Sequence, residues 1–178
     1  MKIHILGASG SGTTTLGQAL GKHGWKHLDA DDYYWVQTDP PFQQKVPLDI
    51  RNKRISQYFE ASGKVVISGS MFSWGEHWKQ VFDLVIFLQL DKAVRMERLR
   101  LREESRYGQV IYDDPKRNKA YRAFMSWAEQ YDDPTFTGRS LRLHEQWLSE
   151  LTCPILRLDG ADSLEENLNL VMTRLGEI

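Results

Sequence analysis

A chain of 178 residues with 23 basic and 24 acidic side chains, a net charge of −1 and an isoelectric point near 6.5 has no global attraction for nucleic acid or an anionic bilayer. No apolar stretch is long enough to span a membrane and the opening residues lack the regions of a secretion signal, so a cytoplasmic protein is expected. Cys153 is the only cysteine, which excludes an internal disulfide and a thiolate cluster, and the five histidines form no close metal-ligand spacing.

The apolar run Ile3-His4-Ile5-Leu6 predicts a buried strand, and Leu16 to Lys22 a helix. Between them lies Gly7-Ala8-Ser9-Gly10-Ser11-Gly12-Thr13-Thr14-Thr15. A phosphate group needs backbone N–H groups pointing inward, which glycines permit by wrapping tightly, at the positive end of a helix dipole. The spacing of Gly7, four residues, Gly12 and a hydroxyl at Thr14 is that of a phosphate loop, except that Thr13 stands where the pattern has lysine. The expected cradle comprises Gly7, Ser9, Gly10, Ser11, Gly12, Thr13, Thr14 and Thr15, with one cation fewer than usual.

Lys26 to Asp29 predicts a short strand that delivers Asp29, Asp31 and Asp32 to the carboxyl edge of a parallel sheet, where ligands bind. If the chain stays extended there, Asp29 and Asp31 share one side. Carboxylates so close repel one another unless a cation or hydroxyl donor is present, and Mg²⁺ meets that need. Tyr33, Tyr34 and Trp35 follow as the floor of an acceptor pocket or as simple packing. Pro40, Pro41 and Pro47 mark a loop from Thr38 to Pro47, and Leu48 to Ser62 has helical spacing closed by Gly63. Val65-Val66-Ile67-Ser68 and Leu84-Val85-Ile86-Phe87-Leu88 read as strands buried on both faces, with Met71 to Gln80 between them as an acceptor-facing or packing segment.

Asp91 begins a long helix in which Arg95, Arg98, Arg102 and Arg106 recur at intervals of three and four, on one stripe. A polyphosphate is a natural counter-ion for such a row, and Glu97, Glu103 and Glu104 offer local relief. Tyr107 to Pro115, with Gly108, suits a hinged cover, and Lys116 to Asp132 reads as another helix before Asp133-Pro134. After Gly138 come a helix carrying Leu141 and Trp147, a last strand Pro154 to Leu158, and a final helix whose Ser163 and Glu166 form a capping box. The expected architecture is one α/β domain over residues 1–178, a five-stranded parallel sheet with helices on both faces and a helical lid at about 95–135 inserted after the fourth strand.

The glycine loop, Leu28-Asp29-Ala30-Asp31-Asp32, the strand ending Ser68-Gly69-Ser70 and the Arg95 to Arg106 row together resemble the P-loop nucleoside and nucleotide kinase group, which includes adenylate kinase-like and shikimate kinase-like enzymes. The resemblance implies a P-loop NTPase fold, ATP at Gly7 to Thr15, Mg²⁺ held partly by Thr14, and lid arginines from among Arg98, Arg102 and Arg106; with no acid at the end of the third strand, Asp29 or Asp31 is expected to complete the metal site. It also implies a small acceptor near Asp29, Asp31 and Asp32; Tyr34 and Trp35 are expected beside it, and Asp31 or Asp32, with Asp31 favoured, to take the acceptor's proton. Two departures stand out: Thr13 replaces the lysine, and the third strand ends without an acid. The expected function is ATP-dependent phosphoryl transfer to a small hydroxyl- or phosphate-bearing acceptor. The alternative is a nucleotide-binding sensor with little turnover. Asn118-Lys119-Ala120-Tyr121 lacks the aspartate of a guanine-recognition motif, so a GTP switch has no visible basis, and nothing in the sequence sets the oligomeric state.

Overall fold

Short β-branched and aromatic runs become strands because both of their faces are covered. In a computed structural model describing residues 1–39 and 41–177, β1 (Lys2–Gly7), β2 (Lys26–Asp29), β3 (Val65–Ser68), β4 (Leu84–Gln89) and β5 (Ile155–Asp159) form one parallel sheet in the order β2-β3-β1-β4-β5. Pro40, expected in the proline-rich loop, lies outside the described residues. β1 is central, with Ile3 facing Val66 on one neighbour and Leu84 on the other.

Alternation along β1 sends its side chains into two cores. Ile3 and Ile5 meet Leu16 and Leu20 of α1 (Thr13–Lys22) and Val171 of α8 (Leu164–Gly176). On the other face Val85 and Phe87 of β4 join Ile55 and Phe59 of α3 (Leu48–Ala61), Trp74, Trp78, and Trp147 and Leu148 of α7 (Leu141–Ser149). His4 is fully buried on that face, stacked on Phe82 at 4.9 Å with Nε2 2.7 Å from the Gly69 carbonyl. Burial pushes its pKa down to about 4, so the imidazole is neutral and Nε2 donates.

The chain turns helical directly after β2, where extended backbone was expected. α2 (Ala30–Tyr34) starts at once because the Asp29 carboxylate caps it, accepting from the Asp31 amide at 3.0 Å. Asp29 and Asp31 therefore sit at a cap and in a first turn, not on one side of a strand.

Between β4 and β5 lie α4 (Lys92–Tyr107), α5 (Val110–Asp113), α6 (Pro115–Glu129), a 3₁₀ turn Gln130–Asp132, and α7. Asp91 caps α4, Asp114 with Pro115 opens α6, and Ser140 caps α7. The capping box at Ser163 and Glu166 is complete, with both reciprocal bonds made. No helix among the described residues is long and apolar enough to cross a membrane.

The expected row of phosphate-facing arginines begins inside the protein. Arg95 is fully buried and donates to the Ala128 carbonyl at 2.8 Å and to Asp132 at 2.7 Å, so the protein itself neutralises it. Intervals of three and four fix which residues share a stripe, not whether that stripe turns inward.

Candidate functional site

β1 runs into the glycine loop at the carboxyl edge of the sheet, and α1 leaves it with no side-chain cap on its first turn. Gly10 and Gly12 adopt φ values of +89° and +103°, which side-chain-bearing residues rarely hold. Among the described residues the amides of Ser9, Gly10 and Gly12 have no hydrogen-bond partner, whereas Ser11 donates its own to the Ala8 carbonyl at 3.1 Å. The Ser11 hydroxyl is buried and unpartnered. A Cβ on Gly12 would meet nothing within 4 Å, so the space beside the loop at that point is open. That donor set suits phosphate oxygens.

Thr14, at the hydroxyl position of the loop, donates from Oγ1 to Asp29 Oδ2 at 2.7 Å. The strand end and the loop thus place a hydroxyl and a carboxylate side by side, the hard oxygen donors that Mg²⁺ takes. No cluster of three or more His, Cys, Asp or Glu gathers among the described residues, so the other positions around a cation here would fall to phosphate and water. At the end of β3, Ser68 is buried and shares a 2.9 Å hydrogen bond with His27 Nε2. The Gly7, Gly10, Thr13 and Thr15 positions fall in the same loop and first turn.

Asp31 is exposed to solvent on the first turn of α2, in crowded surroundings. Desolvation raises its pKa, Arg139 pulls it back, the neighbouring Asp29 raises it further, and Arg102 pulls it down again. Desolvation and the charge of Asp29 likewise raise Asp32. Arg98 donates to the Gly160 carbonyl at 2.8 Å, holding the turn after β5, where a Cβ would come within 2.6 Å of the Ser11 carbonyl. Arg102 and Arg106 both lean on Glu103, at 3.0 and 3.8 Å. Of the three expected lid arginines, Arg102 is the one whose charge acts on Asp31.

Two arginines that the sequence gives no reason to select complete the cleft. Arg51 of α3 is 7% exposed, held between the rings of Tyr34 at 4.3 Å and Trp74 at 4.7 Å. No hydrogen bond or ion pair among the described residues engages its guanidinium, and Nε is buried without a partner. Trp35 packs on Tyr34 at 4.8 Å and on Phe42 at 5.8 Å. Arg139, in the loop before α7, donates from Nη2 to the Ser9 hydroxyl at 2.5 Å. Motif spacing has no hold on either residue, since each reaches the cleft only through tertiary packing.

The match to the AAA domain family spans residues 3–123, from β1 through the glycine loop into α6. The chain belongs to that family. This AAA domain protein is 39% identical to the uncharacterized protein YqaC of Bacillus subtilis, over 97% of this chain and 96% of YqaC. It is 28% identical to a probable gluconokinase of Xenopus tropicalis, over 58% of this chain and 68% of that protein. Among solved structures, deoxyadenosine kinase from M. mycoides superposes with a TM-score of 0.57 at 15% identity and full coverage of both chains, a likeness of fold. The AAA domain protein thus has the P-loop kinase fold, with the five parallel strands and two helical layers expected from its sequence.

Proposed function

We propose that this protein transfers the γ-phosphoryl group of ATP to an oxygen of a small acceptor that also carries a negative charge. The observation that carries the proposal is the 2.7 Å bond between Thr14 of the glycine loop and Asp29 at the end of β2, which joins a phosphate cradle to an acidic acceptor edge. The likeness to a probable gluconokinase supports kinase-type chemistry.

In this reading the free amides of Ser9, Gly10 and Gly12, the Ser11 hydroxyl and the first turn from Thr13 to Thr15 hold the nucleotide's phosphates. Thr14 and Asp29 hold Mg²⁺, which when bound neutralises phosphate charge. Asp31, its pKa raised by desolvation, accepts the proton of the acceptor hydroxyl as that oxygen bonds to phosphorus and the bond to the leaving ADP oxygen breaks. Asp32, Tyr34 and Trp35 shape the acceptor pocket. Arg102 adds positive charge beside Asp31, while Arg98 and Arg106 reach phosphate only through closure of the segment at about 95–135.

Arg51 argues for an anionic acceptor. A buried guanidinium without a counter-ion is costly, and an acceptor's carboxylate or phosphate would offset that cost. The test is ATP consumption across small alcohols, sugars, sugar acids, nucleosides and nucleotides. Acceptor-dependent ADP release, confined to anionic acceptors and lost in Arg51→Gln, is the expected result. Tight ATP binding with no acceptor-dependent release would instead favour a nucleotide sensor, the reading that Thr13 supports.

A further inference from the structure

The phosphate loop lacks its cation, yet a guanidinium already touches it. We propose that Arg139 supplies, from the loop before α7, the positive charge that position 13 does not carry, acting on the phosphates of a bound nucleoside triphosphate. The inference rests on the nucleotide-binding reading above and goes beyond it by assigning the charge to a residue outside both the loop and the α4–α6 segment.

Arg139 Nη2 donates to the Ser9 hydroxyl at 2.5 Å, which brings its fork to the rim of the cradle beside two free amides. The rest of the guanidinium is under-used. No carboxylate forms an ion pair with it among the described residues, and its Nε is buried without a partner. One flank lies against the Trp127 ring at 4.7 Å. Burial disfavours its charge, and the Asp31 carboxylate is the main charge that offsets this. Arg139 thus touches the donor loop through Ser9 while its charge acts on the acceptor-side Asp31. A planar fork suits phosphate oxygens better than a point charge does.

The loop is built to hold this position. At Gly138 a Cβ would lie 2.4 Å from the Phe136 ring, so a larger residue there would displace that ring. Ser140, fully buried, caps α7 immediately afterwards. The backbone on either side of Arg139 is thereby pinned. Thr13, at the start of α1, makes no side-chain hydrogen bond among the described residues, leaving room for a different side chain there.

The test is calorimetric titration with ATP and with ADP, in Mg²⁺, of the wild type, Arg139→Gln, Thr13→Lys and the double variant, with thermal melts reporting folding. Arg139→Gln is expected to weaken ATP binding about tenfold or more, the scale of one charge-assisted contact, and ADP binding less. Thr13→Lys in the Arg139→Gln background is expected to restore most of the loss, which a merely structural role for Arg139 would not allow. Arg139→Lys, which keeps the charge but not the fork, is expected to lose clearly less affinity than Arg139→Gln and serves if the glutamine variant does not fold. Wild-type ATP affinity in Arg139→Gln, no rescue by Thr13→Lys in a folded double variant, or equal losses for lysine and glutamine would each overturn the proposal. A wild-type protein that binds no ATP would overturn the nucleotide reading and this inference together.

Discussion

An alanine at Gly10 would set its methyl 2.9 Å from the Arg95 carbonyl and 3.0 Å from the Leu99 side chain, on a backbone already at φ +89°. At Gly12 the same change meets open space and only the left-handed strain remains. Gly10→Ala should therefore cost about 2 kcal/mol or more of stability and Gly12→Ala about 1 kcal/mol, while Gly12→Ala should also weaken nucleotide binding by straining the loop next to its free amides. Denaturant melts with ATP titrations check both. Asp31 adds a pH signature. Its carboxyl must be ionised to accept a proton and its pKa is raised, so the rate should fall on acidification through a value above the ordinary 3.8. Asp31→Asn should lower turnover about 100-fold or more at every pH. Gly7, Gly12, Thr14 and Asp29 were legible in the sequence because a loop between strand and helix leaves a fixed offset. Arg51 and Arg139 were not, since one sits mid-helix and the other in an unremarkable turn, and only packing aims them at the cleft.

Among the elements, α4 joins the site to the helices above it. Its Arg95 lies under Gly10 and reaches across to Asp132 at the end of the 3₁₀ turn, with its guanidinium over the Tyr131 ring at 5.3 Å. Removing Asp132 leaves a fully buried charge with no carboxylate partner, held by the Ala128 carbonyl, the Met96 sulfur and the Tyr131 ring. Asp132→Ala should cost about 2 kcal/mol, below the ~3–5 kcal/mol of an enclosed pair because Asp132 is itself partly exposed. Arg95→Met, which fills the space and releases Asp132 to solvent, should cost less. Chemical denaturation of both variants settles the order. The strands and long helices fell where apolar periodicity placed them, since that signal is local. The inward turn of Arg95 escaped it, because periodicity groups residues without saying what their face meets. α2 escaped it for another reason: the Asp29 cap overrides what looked like an extended run.

At the scale of the whole molecule, two buried histidines tie the fold to neutral pH. His4 is held near a pKa of about 4 and His144 near about 3, both by burial, while His144 bridges Ser70 and Tyr131 at 2.7 and 2.8 Å. The unfolded chain takes up these protons near pH 6.5, so below that pH it binds more protons than the native state. Stability is full above about pH 6.5 and falls with acidification toward pH 4. Denaturation midpoints at pH 7, 6 and 5 should decline in that order, and His4→Gln, which keeps a donor for the Gly69 carbonyl, should flatten the decline.

All of the proposed chemistry depends on the glycine loop closing on phosphate without a lysine. Calorimetric titration of the wild-type protein with ATP in the presence and absence of Mg²⁺ tests this most directly. The expected result is saturable binding that Mg²⁺ strengthens and Gly12→Val abolishes in a protein that still melts cooperatively. No binding, or binding indifferent to Gly12→Val, would contradict it.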